Sequence, residues 1–115
     1  MTYTEMLDKI HSAGAWFVGV FMGEFLSKKS QYSMDRANRV AFIQYIHHEY
    51  GENLGYTYDS TKTKCYALMS IIEDHMVEKA LDHILRCNEH KIGREPIENA
   101  ERLIEAMREG KVRIP

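Results

Sequence analysis

Apolar side chains recur at steps of three and four residues along most of this chain, and only two prolines occur, both late (Pro96, Pro115). A repeat near 3.6 gathers such side chains on one face of a helix, whereas a half-buried strand would alternate every two residues. The pattern predicts an all-α fold, a compact bundle of four or five helices. At 115 residues the chain has room for one domain, which buries a little over ~60% of its unfolded surface. Its 44% hydrophobic and 28% charged residues fit an ordinary globular protein and argue against disorder. Residues 1–110 read as the bundle and 111–115 as a short tail.

The first helix is expected to open at Thr2 or Thr4, whose hydroxyls can cap free amides, and to run through Tyr3, Met6, Leu7, Ile10, Phe17, Phe21, Phe25 and Leu26 before fading at Lys28 and Lys29. Residues 16–21 are rich in aromatic and β-branched types that also suit a strand, but helical flanks on both sides favour helix. A second helix is expected after Ser33, with Asp35 in its first turn, Val40, Phe42, Ile43, Ile46 and Tyr50 on its apolar face, and Gly51 as a left-handed closing residue. After a loop over 51–60, a third and longest helix opens at Asp59, Ser60 or Thr61. Its seam is Cys65, Leu68 or Met69, Ile72, Met76, Ala80, Ile84 and Cys87. Ser70 and Glu73 have capping-box spacing, so 61–92 reads as one helix or as two broken near 70. Pro96 fits the first position of the last helix, which carries Ile97, Ala100, Ile104 and Met107 inward, pairs Glu98 with Arg102, and ends at Gly110.

The longest uncharged run, 12–23, is too short for a membrane span of about 20 residues. Ahead of it Glu5 and Asp8 outweigh Lys9, where a signal peptide would be net positive. Two cysteines make no disulfide framework, and on one helix Cys65 and Cys87 would stand about 33 Å apart. The cytoplasm, with both thiols reduced, is the expected compartment.

Three residues have metal-site chemistry. His83, Cys87 and His90, at i, i+4 and i+7 of a continuous helix, would offer two imidazoles and a thiolate for zinc. The competing reading makes Cys87 part of the apolar seam and the histidines its edge. His47 and His48 are adjacent and diverge by about 100° on a helix, so they suit a last turn better than a ligand set. No nucleophile with a base, phosphate-cradling loop or dinucleotide fingerprint is found, so neither an enzyme nor a cofactor is expected.

Ala15, Gly19 and Gly23 recur every four residues. Mid-helix glycines cost about 1 kcal/mol against alanine, so the row implies close helix packing, either inside the chain or across a dimer axis. A side carrying Trp16, Phe17, Val20, Phe21 and Phe25 exceeds what a small core readily covers, and burial by a second copy would relieve it. Tyr56 and Tyr58, on the loop, read either as a lid folded over the bundle or as anchors for a partner.

Seven basic and seven acidic residues in 1–64, then eight and ten in 65–115, leave no basic stripe. The leading expectation is therefore a small cytoplasmic helical protein that binds another protein, as a regulatory, adaptor or inhibitor module, for example one that disarms a defence enzyme, with a homodimer through the first helix as one form. The first alternative is nucleic-acid binding through Lys28, Lys29, Arg36 and Arg39 converging at a helix junction. The second is a metal site at His83, Cys87 and His90.

Overall fold

The computed structural model describes residues 1–112, which form eight α-helices and one π-helical turn, with no strand among the described residues. The all-α expectation is met, but the helices are more numerous and shorter than four or five. The tail over 111–115 lies mostly outside the described residues.

The expected first helix is three. Helix α1 (Tyr3–Ala13) opens on a capping box, in which the Thr2 hydroxyl accepts from the Glu5 amide and the Glu5 carboxylate accepts from the Thr2 amide. It stops because Gly14 adopts φ +87°, a left-handed value that favours glycine. Helix α2 (Ala15–Ser27) then takes a new direction, and the single turn α3 (Lys29–Tyr32) follows. Residues 16–21 lie inside α2, so the strand alternative fails.

Helix α4 (Arg36–Ile46) is capped by Asp35, whose carboxylate accepts from the Asn38 amide. It widens into a π-helical turn (His47–Gly51). Gly51 is not the left-handed closing residue anticipated; it is buried, and a Cβ there would stand 2.7 Å from both His47 Nδ1 and Thr61 Oγ1. Glycine at this position lets those two groups form their 2.8 Å hydrogen bond.

Helix α5 (Tyr58–Glu73) begins earlier than expected, capped by the Thr57 hydroxyl accepting from the Ser60 amide. The 61–92 stretch contains three helical pieces. Its first break is at Asp74 and His75, where His75 takes φ +60°, and not at Ser70, whose hydroxyl donates back to the Tyr66 carbonyl inside α5. Helix α6 (Val77–Leu85) and the turn α7 (Glu89–Ile92), capped by Asn88, complete the stretch. Helix α8 (Arg94–Arg108) starts two residues before Pro96, and Glu98 pairs with Arg94 rather than Arg102. Gly110, at φ +72°, lies just beyond its end.

Helix α1 packs along α5, and α8 crosses both α2 and α6. Phe17, Val18, Phe21, Met22 and Phe25 of α2 meet Leu68, Met69 and Ile72 of α5, Leu81 and Ile84 of α6 and Ala100 and Ile104 of α8 in one continuous core. A chain of ring contacts, Phe17 to Phe25 to Phe42 to Tyr32, extends it under α4, with centroids 4.9–6.1 Å apart. The radius of gyration, 13.3 Å, is that of a compactly folded chain of this length.

Candidate protein-binding face

Helix α2 has one charged residue, Glu24, among its thirteen. A helix apolar on every side belongs in an interior, and the bundle covers most of it but not all. Phe17, Val18, Phe21, Met22 and Phe25 are buried, while Trp16, Val20, Gly23 and Leu26 remain half-buried. Trp16, Val20 and Gly23 follow one another at steps of four and three, so they line one edge of the helix.

That edge floors a groove. At one end a concavity of about 330 Å³ is lined by Trp16, Val20, Tyr50, Leu54, Glu49 and Glu95. Val20 continues it into a second, lined also by Gly23, Asn99, Arg102 and Leu103, and Gly23 and Leu103 lead on to a third that ends at Leu26, Lys111 and Val112. Leu54, 41% exposed on the turn after the π-helical segment, forms one lip. The opposite lip is α8.

The small-residue row explains how α8 comes so close. A Cβ at Gly19 would stand 2.9 Å from Pro96 Cα and 3.0 Å from its carbonyl oxygen, and closer still to its Cβ. At Gly23 the nearest atoms are the Leu103 methyls at 3.7–3.8 Å, an ordinary contact. Gly19 thus packs inside the chain, where it is buried, while Gly23 stays half-buried on the groove floor. Ala15 sits apart, in a different concavity with Leu7, His11, His83 and Cys87.

Beside the groove, Glu24 fastens α2 to Tyr45 and to groove-lining Tyr50. Its Oε1 accepts from Lys28 Nζ at 2.6 Å, Tyr50 Oη at 3.1 Å and Tyr45 Oη at 3.2 Å. Partial burial would raise the Glu24 pKa, but these bonds outweigh it and hold the carboxyl below its ordinary range. The bond to Glu24, with burial, pushes the Tyr50 hydroxyl up to about 12.

Of the loop tyrosines, Tyr56 folds inward, its ring 6.5 Å from Phe17 and 4.9 Å below the Lys64 ammonium. Burial raises its pKa. Tyr58 stays at the surface against the His47 ring, 5.5 Å between centroids. Neither lines the groove along α2.

Two of the four basic candidates are held within the fold. Lys28 bonds Glu24 and the Tyr45 hydroxyl, and Arg39 pairs with Glu73, which raises the arginine's pKa. His83, Cys87 and His90 do not share a helix, because α6 ends at Leu85 and Asn88 starts a new turn. Cys87 Sγ lies 3.4 Å from the His83 carbonyl, and no three His, Cys, Asp or Glu side chains among the described residues are gathered to hold a metal ion. His47 and Thr61 bring an imidazole to a hydroxyl, but Thr61 is completely buried, so that hydroxyl is closed to a substrate. Burial also raises both thiols, Cys65 to about 12.

Reasoning from sequence missed Leu54, Glu49 and Glu95 as companions of Trp16. They come from three separate segments, and only an isolated leucine between Asn53 and Gly55 hinted at an exposed apolar tip. No protein-family model, no curated protein and no solved structure matches the chain. No helix of the described residues is long and apolar enough to cross a membrane.

Proposed function

We propose that this chain is a cytoplasmic protein-binding module, regulatory or inhibitory in action, that works by surface contact rather than by catalysis. The reading rests on one observation: the most apolar helix leaves an edge, Trp16–Val20–Gly23–Leu26, on the floor of an open groove. A strip of this kind, rimmed by polar side chains, is how a soluble protein presents a docking site. The basic cluster gives nucleic-acid binding less support, because Lys28 and Arg39 already have carboxylate partners.

The test is purification of the tagged chain from its own host beside a Val20→Glu, Leu54→Glu double variant. Glu101→Lys, on the exposed side of α8, is the control. A partner recovered in stoichiometric amount with the unaltered chain and the control, and lost with the double variant at unchanged helicity, supports the proposal. No such partner, or the same partner on all three, contradicts it.

A further inference from the structure

The groove is apolar along its floor and negative at one end. Glu49 and Glu95 both line the concavity over Trp16, and neither has an ion pair or side-chain hydrogen bond among the described residues. The nearest arginine in sequence, Arg94, is held by Glu89 at 3.3 Å and Glu98 at 2.7 Å, so it does not neutralise them. Toward the other end the cations are occupied: Arg102 donates to Asn99, and Lys111 pairs with Glu109 at 2.7 Å. A half-buried indole beside two unpaired carboxylates suits an alkyl stem carrying a positive head, which adds a cation–π contact to the charge pairing.

The shape selects the occupant's backbone. The floor follows one edge of α2 from Trp16 to Leu26, ten residue steps or about 15 Å, with Gly23 as a notch. A straight apolar trough of this length is the seat used by amphipathic helices, which insert side chains at i, i+4 and i+7. Resting on the protein-binding reading above, we infer that the groove accepts an amphipathic helix of another protein whose Lys or Arg residues lie over Trp16, between Glu49 and Glu95. The same carboxylates repel an anionic lipid surface.

Trp16 is the only tryptophan and stands in the site, so its fluorescence reports occupancy directly. The probes are three tryptophan-free, thirteen-residue helical peptides with the same leucine stripe and with Lys, Gln or Glu at one end. The Lys peptide should shift Trp16 emission to the blue and bind at least about ten-fold more tightly than the Glu peptide at low salt, with added salt narrowing the gap. In a Glu49→Gln, Glu95→Gln variant of unchanged melting temperature the three affinities should fall within about three-fold of one another. Equal binding of all three peptides to the unaltered chain would overturn the charge preference yet leave the docking face standing. Binding by none would overturn the helix as occupant, while the co-purification experiment judges the protein-binding reading separately. A shift of Trp16 emission on adding anionic vesicles, or on concentrating the protein alone, would also overturn the inference, the first in favour of a membrane and the second of another copy of the chain.

Discussion

Replacing Gly19 by alanine should damage this fold, and replacing Gly23 should improve it, although the two lie one turn apart on the same helix. Each substitution gains up to about 1 kcal/mol of helix propensity. At position 23 the new methyl enters ordinary contact with the Leu103 side chain, 3.7 Å away, so most of that gain survives. At position 19 it meets the Pro96 backbone, 2.9 Å from Cα, and α8 must move away from α2. Forcing an extra methyl into a packed site costs about 1–3 kcal/mol, and contact with rigid backbone puts this case at the upper end. The net loss is then about 2 kcal/mol. With an unfolding entropy of roughly 2.1 cal/mol/K per residue over the chain's 115 residues, that lowers Tm by about 8 °C, whereas Gly23→Ala raises it by about 2–4 °C. Thermal unfolding followed by circular dichroism at two protein concentrations measures both shifts. Equal stabilisation by the two substitutions would refute the close approach of α8 to Gly19. A concentration-dependent loss with Gly23→Ala would refute the contact of Gly23 with Leu103 of the same chain.

Gly51→Ala should cost about 1–3 kcal/mol, because its Cβ breaks the hydrogen bond between His47 and buried Thr61; urea unfolding would show it as a lower midpoint at unchanged slope. In a thiol titration at pH 8, Cys87 should react slowly in the folded protein and Cys65 only after denaturant is added, since burial raises both and closes Cys65 to reagent. Ultraviolet titration of the tyrosines should find Tyr50 ionising near pH 12, and Glu24→Gln should bring it back toward 10. Because folding raises the Tyr50 pKa, its contribution to stability is whole below about pH 10 and disappears as pH rises through 12.

Periodicity alone carried the fold class. Most residues assigned to apolar faces from their spacing, among them Met6, Ile10, Phe17, Phe42, Ile72, Ala80 and Ile104, are buried. Helix ends were harder to read, because what stops a helix here is a single backbone conformation. Gly14 at φ +87° breaks the first helix between Ile10 and Phe17, and His75 at φ +60° breaks the third where no glycine announces it. The small-residue row announced a close approach, but only the structure could name Pro96, 77 positions beyond Gly19, as the neighbour. The groove along α2 was half legible. Trp16 and Val20 stood out as more apolar surface than a small core would cover, while Leu54, Glu49 and Glu95 become its neighbours only when the π-helical turn and the start of α8 converge on α2. The expected metal set lost its basis for a similar reason, since its spacing argument required a continuous helix through Asn88.

The claim that α2 presents the working surface is tested most directly by a photo-crosslinking scan in the native host. A photoreactive phenylalanine would be placed in turn at Val20, Leu54 and Leu103 along the groove, and at Lys9, Asp59 and Glu101 on exposed faces elsewhere. The account predicts one discrete adduct, shared by the three groove positions and absent from the other three. Adducts confined to the outer positions, or spread evenly over all six, would contradict it.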